Sequence, residues 1–293
     1  MAHLTRRRVV TTALATAAAG AFIPAQSATA TPARPRGPRP LERAHAHNDY
    51  LHPRPLLDAL AHGFTSVEAD VFLVDGELLV AHEPASLDPS RTLTSLYLDP
   101  LAALVLANHG RVHAGYGTPL QLLVDIKADG AAAYLALEGV LRRYSRILTR
   151  SVRGRVHPGA VTTVVSGDRA ARLPMEGRTT RYAFYDGRLD DLGTAAPASF
   201  APLVSANWTQ TFSWQGAGRF PAAERDRLRT LVSAAHREGR RLRFWATPDT
   251  AGPERDAVWS ELLAVGVDHL NTDDLAGLEA FLRHRDRGGH EGV

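Results

Sequence analysis

The sequence predicts a single-domain α/β fold, a (β/α)8 TIM barrel, from three observations. Eight short β-like runs alternate with helical segments over about 250 residues, the spacing of βα units that close a parallel sheet on itself. Polar residues gather at the C-terminal ends of those runs, where such barrels build their sites. The chain has no cysteine, so its stability must come from a sizeable buried core rather than a disulfide framework.

Taken in order, the first thirty residues read as a targeting segment and not as part of the barrel. Thr5 to Val10 spell TRRRVV, a twin-arginine pattern, followed by the weakly apolar TTALATAAAGAFIPA and a small-residue end at Ala28, Thr29 and Ala30. This predicts a bacterial export signal cleaved after Ala30, and so a secreted protein. The run is rich in Ala and Thr, contains Pro24 and falls short of the roughly 20 apolar residues that span a bilayer, so no membrane anchor is expected. Residues 31–40, TPARPRGPRP, read as a Pro/Arg-rich linker, residues 41–285 as the barrel and residues 286–293 as a polar tail. The three signal arginines account for the whole formal charge of +3, leaving 31 basic against 31 acidic residues. A nearly neutral mature chain gives no electrostatic footprint for nucleic acid.

The predicted strands are Glu42 to His47, Thr65 to Val71, Leu120 to Lys127, Ala160 to Ser166, Arg181 to Tyr185, Leu203 to Asn207, Leu242 to Thr247 and Val267 to Asn271. Helical patterns cover Arg54 to Ala61, Ser95 to Ala107, Gly130 to Arg146, Ala222 to Glu238, Glu254 to Ala264 and Asp274 to His284. After the second strand, VDGELLVAH predicts a hairpin turning at Asp75 and Gly76.

Chemistry concentrates between Arg43 and Glu83. Residues two apart on a strand share a face, so His45 with His47 and Glu68 with Asp70 each project together. Paired inward carboxylates, an adjacent amide and flanking histidines suit a divalent cation held by oxygen ligands, with imidazoles left for proton transfer. His45 lies one layer deeper than His47, which predicts a buried hydrogen-bonding role.

The segments HAHNDY, VEADV, LLVAHE and LLVDIK resemble the phospholipase C-like phosphodiesterase superfamily, near its glycerophosphodiester phosphodiesterase and phosphatidylinositol phospholipase C branches and a HAHNDY-bearing subgroup. The resemblance implies a (β/α)8 barrel that hydrolyses a phosphoric diester with His47 and His82 as the acid/base pair and one Ca2+ or Mg2+. It further implies Asn48, Glu68, Asp70 and Asp125 as the metal ligands. HNDYLHPRP stands where glycerophosphodiesterases usually read HRG and then PENT, and Asp125 stands where a glutamate is usual.

Lys127 is the single lysine of a chain whose other strong bases are all arginine, and a compact ammonium suits a phosphate oxygen in a tight barrel mouth. It is read as substrate-binding, as are Trp245 and Asn207 at the ends of later strands; the bland reading of Lys127 is an ion pair with a neighbouring carboxylate. The expected partner is a small-molecule or lipid phosphodiester, and the expected state is a monomer. Two rival classes share features of this inventory. A metal-dependent amidohydrolase would use the HxH of His45 and His47 with Asp273 after the eighth strand, but RYAFYDG and PLVSANW supply no histidine ligands; a non-catalytic exported binding barrel would have no use for two histidines and three carboxylates.

Overall fold

The computed structural model describes residues 37–288. The predicted export signal and most of the linker and polar tail lie outside the described residues. Eight parallel strands form the barrel: β1 Leu41–Ala46, β2 Phe64–Val74, β3 Leu120–Ile126, β4 Val161–Gly167, β5 Ala183–Gly187, β6 Leu203–Asn207, β7 Arg241–Trp245 and β8 His269–Thr272. Each pairs with its sequence neighbours, and β1 pairs with both β8 and β2, which closes the sheet. Helices α1 Leu57–Ala61, α2 Asp99–Ala107, α3 Gly130–Arg143, α4 Arg172–Glu176, α5 Trp208–Thr211, α6 Ala222–Arg237, α7 Pro253–Val265 and α8 Leu275–Gly288 lie between and after the strands.

Strand alternation divides the chemistry. In β3, Leu120, Leu122, Val124 and Ile126 join the main core under the helices, while Gln121, Leu123 and Asp125 take the other face. The barrel interior is itself divided. Leu123, Val164, Phe184 and Leu203 form a separate apolar cluster on the side of β3 to β6. The side of β7, β8, β1 and β2 carries buried His45, Ser66, Glu68, Arg243 and His269. Burying so many polar groups is tolerable only because most are paired: Arg243 Nη1 lies 2.6 Å from Glu68 Oε2.

The hairpin forms as expected. A strand at Glu77–Val80 runs antiparallel to the outer half of β2, from Val71 opposite Val80 to Val74 opposite Glu77. Its turn residues Asp75 and Gly76 both have positive φ, 50° and 86°, the conformation that Asp-Gly turns supply. The hairpin delivers His82 back to the mouth of the barrel.

Several boundaries differ from expectation for local reasons. β7 ends at Trp245 and not at Thr247, because Ala246 takes φ 54° and breaks the extended backbone. β5 starts two residues late, because Thr180–Arg181 pairs instead with Arg150–Val152, which also pairs with Arg155–His157 in a small antiparallel sheet. The helical pattern from Ser95 opens as a π-turn, Thr94–Leu98, before α2 begins with Pro100 in its first turn. Arg54 to Leu56 stay outside α1, Leu56 having φ 65°.

Candidate active site

The C-terminal mouth of the barrel gathers Glu68 and Asp70 from β2 and Asp125 from β3. In register, Asp70 lies beside Asp125, and one ligand oxygen from each of the three carboxylates falls within 4.8 Å of the others. The donor set fits a hard divalent cation. Buried Asp70 Oδ1 has no hydrogen-bond partner, an oxygen that a cation would satisfy. Burial, together with the charges of Glu68 and Asp70, pushes the Asp125 pKa up to about 6 despite Lys127. Crowded anions of this kind are what a divalent charge relieves.

The three carboxylates are held differently. Glu68 is buried, which alone would raise its pKa, but Arg243 and a hydrogen bond from His45 hold it well below the usual carboxylate range. Asp70 Oδ2 accepts from the Tyr50 hydroxyl at 2.8 Å and lies 3.1 Å from both His82 Nδ1 and Lys127 Nζ. Lys127 Nζ is also 3.6 Å from Asp125 Oδ1. Burial opposes its charge, yet Asp125 and Asp70 outweigh burial and raise the Lys127 pKa. The lysine thus lies among the carboxylates as an ion pair, with its side chain 27 % exposed.

The two histidines approach from opposite sides. His47 follows β1, its amide donating to Thr272 O. Its Nδ1 is 2.9 Å from Asp273 Oδ1, and its Nε2 is 3.8 Å from Glu68 Oε1. Burial lowers the His47 pKa, but the Asp273 hydrogen bond and the Glu68 charge prevail, and the net shift is upward. His82 is the more exposed ring; its Nδ1 lies 3.0 Å from the Tyr50 hydroxyl as well as 3.1 Å from Asp70. In both rings the Nδ1 side is held by protein, which orients Nε2 for work.

Asn48 adopts left-handed backbone, φ 46° and ψ 36°, which Asn tolerates better than most residues. Its carbonyl oxygen, the atom that would ligate a cation, lies 2.8 Å from the Tyr50 hydroxyl oxygen, and its amide nitrogen lies 3.3 Å from Asp273 Oδ1. Asn207 caps α5, its side chain accepting from Thr209 Oγ1 at 2.8 Å and Gln210 N at 3.2 Å. Trp245 ends β7 half-buried. His45 is fully enclosed, bonded through Nδ1 to Ser66 Oγ at 2.7 Å, so the two histidines of the HxH do not share one ligand position.

Three residues of the mouth escaped sequence reasoning as site members. Tyr50 joins Asn48, Asp70 and His82 through one hydroxyl, and burial beside Asp70 raises its pKa far above the ordinary phenol. Its signal was its place in HAHNDY. Arg243 steadies Glu68 from across the barrel; its signal was an arginine at an inward position of the RLRFW strand. Asp273 was legible as a polar residue after the eighth strand but not as the partner of His47, a pairing that spans 226 residues of sequence. Asp49, in the same motif, serves the fold: it accepts from Leu56 N at 2.6 Å and from the Tyr97 hydroxyl at 2.8 Å.

Residues 38–186 match the AIM6-like phosphodiesterase domain, and residues 241–276 match the glycerophosphoryl diester phosphodiesterase family. The chain is 29 % identical to the "Altered inheritance of mitochondria protein 6 homolog" of Arthroderma benhamiae, over 81 % of this chain and 82 % of that protein. It is 30 % identical to "Altered inheritance of mitochondria protein 6" of Eremothecium gossypii, over 82 % of this chain and 69 % of that protein. The Saccharomyces cerevisiae protein of the same name is 26 % identical, over 86 % and 73 %. In structure, a glycerophosphoryl diester phosphodiesterase from Parabacteroides distasonis superposes with TM-score 0.50 at 11 % identity, covering 85 % of this chain and 88 % of that one, a likeness of fold. These relatives correct the expectation of a secreted bacterial protein with a twin-arginine signal. They are fungal and yeast proteins, which points to a eukaryotic origin. Among the described residues no helix is long and apolar enough to cross a membrane.

Proposed function

Since the chain belongs to the AIM6-like phosphodiesterase domain family, we propose that it is a metal-dependent phosphoric diester hydrolase working by two-histidine acid/base catalysis. The observation that carries this reading is the carboxylate trio with the unpartnered Asp70 Oδ1, flanked by two rings held through Nδ1. Glu68, Asp70 and Asp125 would hold one Ca2+ or Mg2+, with Asn48 able to join if Tyr50 releases its carbonyl oxygen. When bound, such an ion neutralises phosphoryl oxygens and lowers the pKa of the attacking hydroxyl or water.

The chain's own residues supply the rest. His47, with Asp273 fixing its tautomer and stabilising its charged form, takes the proton of the nucleophile. His82, oriented by Tyr50 and Asp70, gives a proton to the departing alkoxide. Lys127 stays protonated beside Asp70 and Asp125 and turns its ammonium to a phosphate oxygen. The substrate is a small-molecule or lipid phosphodiester. The test is a screen of phosphodiesters with product analysis, run with and without chelator. Cleavage that stops on chelation and returns with Ca2+ or Mg2+ is expected; undiminished cleavage in thoroughly chelated enzyme overturns the reading.

A further inference from the structure

The opposite end of the barrel holds an open cavity of about 630 Å³, and the strongest groups in its wall are cationic or unsatisfied. Arg43, Arg241 and His269 line it, with Thr65, the loop 117–119 and, at its edge, the acids Glu42 and Asp268. Among the described residues neither Arg43, which is exposed, nor half-buried Arg241 lies within ion-pair distance of a carboxylate, whereas the buried guanidiniums of Arg240, Arg243 and Arg255 do. Arg43 Nη1 donates to Val267 O at 2.6 Å, and Arg241 Nη2 donates to Gln121 Oε1 at 2.5 Å. Asp268 is engaged elsewhere, accepting at Oδ2 from the Leu242 amide and bonded to His236, both at 2.8 Å; Glu42 is exposed. Burial lowers the Arg241 pKa and Asp268 offsets only part of that, the sign of a charge lacking its counter-charge.

His269 gives the independent second observation. It is 1 % exposed, lines this cavity, and neither ring nitrogen has a hydrogen-bond partner. Burial, reinforced by Arg241, keeps the ring neutral, so it carries one N–H to donate. An imidazole with both nitrogens orphaned in a native interior calls for a partner.

We propose that the N-terminal mouth of the barrel is a binding site for a phosphate-class oxyanion, held by the guanidiniums of Arg43 and Arg241 and by the His269 N–H. Guanidinium forks match the geometry of such oxyanions. The site lies outside the proposed catalytic machinery and needs no metal, so its test is independent of hydrolysis.

The experiment measures binding of inorganic phosphate to the full chain by calorimetry in the presence of chelator, on the wild type, Glu68→Gln, Arg43→Gln and Arg241→Gln, with circular dichroism to confirm each fold. Wild type and Glu68→Gln should bind alike, and each arginine variant should bind at least about tenfold more weakly, the scale of one charge-assisted hydrogen bond. A second arm replaces phosphate by glycerol phosphate: a stronger ligand with the same dependence on the arginines identifies an esterified phosphate as the occupant, and a weaker one the free ion. Phosphate binding unchanged in both arginine variants, or absent from the wild type, overturns the proposal. Because Arg43 is exposed, Arg43→Gln keeps the test decisive if Arg241→Gln does not fold.

Discussion

The two mouths of the barrel are built from the same eight strands and carry opposite chemistry. At the C-terminal mouth three carboxylates crowd within 4.8 Å, with the Arg243 guanidinium paired to Glu68 from inside the barrel and the ammonium of Lys127 beside Asp70 and Asp125. At the N-terminal mouth two guanidiniums stand without a carboxylate partner beside a neutral histidine. The first arrangement is short of positive charge and the second of negative charge, so each favours a ligand of the opposite sign. The contrast teaches that strand alternation alone does not decide what a barrel end recognises. Which side chains stand on the last inward rung does: Asp70, Asp125 and His47 at one end, Arg241 and His269 at the other.

The largest break in this contrast comes from removing charge at the acidic end. Asp70→Asn withdraws a proposed ligand and the acceptor shared by Tyr50, His82 and Lys127. Turnover should fall by about 10³-fold or more, since the polarising ion is worth several kcal/mol, while circular dichroism stays unchanged. A variant that still binds the cation stoichiometrically and turns over normally would show that Asp70 is not among the ligands of the ion.

Next in size is the division between the histidines. His82→Ala should lose about 10²- to 10⁴-fold on an alkyl phosphodiester and far less on a nitrophenyl diester, whose phenolate leaves without a proton. His47→Ala should lose on both. The opposite pattern exchanges their roles, and equal losses on both substrates would make His82 a phosphate-positioning group.

Lys127→Met sharpens the contrast, because Lys127 is the positive charge that stands beside both Asp70 and Asp125. The Michaelis constant should rise or turnover fall with the metal site still filled, read by kinetics alongside metal titration. Normal kinetics in the folded fraction of a destabilised variant would leave Lys127 as an ion pair only.

The smallest effect is on stability against pH. Asp125 has its folded-state pKa raised, to about 6, so the folded chain holds that proton more tightly than the unfolded chain. In metal-free protein this group therefore destabilises the fold as pH climbs from about 4 through 6, by up to about 3 kcal/mol once fully ionised. Added cation should consequently raise the melting temperature more at pH 7.5 than at pH 5. An equal rise at both pH values would show that the ion does not relieve Asp125.

How much of this was legible in the sequence follows from the distance over which each feature is determined. Leu203 to Asn207 and the Asp75–Gly76 hairpin are specified by neighbouring residues, and period-two alternation with turn chemistry located both. Glu68 and Asp70 converge because they share a strand face, so their meeting could be read from spacing; Asp125 joins them through the parallel register of β2 and β3. What stayed hidden depends on long-range pairing. Nothing near Arg181 announces that it will leave the fifth strand for Ser151, and nothing near Arg243 announces Glu68, 175 residues away. Asn207 misled because a strand-end amide that faces a pocket and one that caps the next helix look alike in sequence.

The two mouths are also wired together. Arg241 donates to Gln121 Oε1, Gln121 Nε2 donates to Ser66 Oγ at 2.8 Å, Ser66 Oγ meets His45 Nδ1 at 2.7 Å, and His45 Nε2 meets Glu68 Oε2 at 3.1 Å. His45 is neutral, its pKa lowered to about 4 by burial and by Arg243, so it carries a single ring proton, and the seat of that proton sets the sense of the column. On Nε2, every donor from Arg241 upward points the same way and the column ends on Glu68; on Nδ1, Ser66 receives from both sides, and Nε2 is left to accept from Arg243, 2.6 Å away. The axis of the barrel therefore carries a polarity that the seat of one ring proton can reverse without moving a single strand.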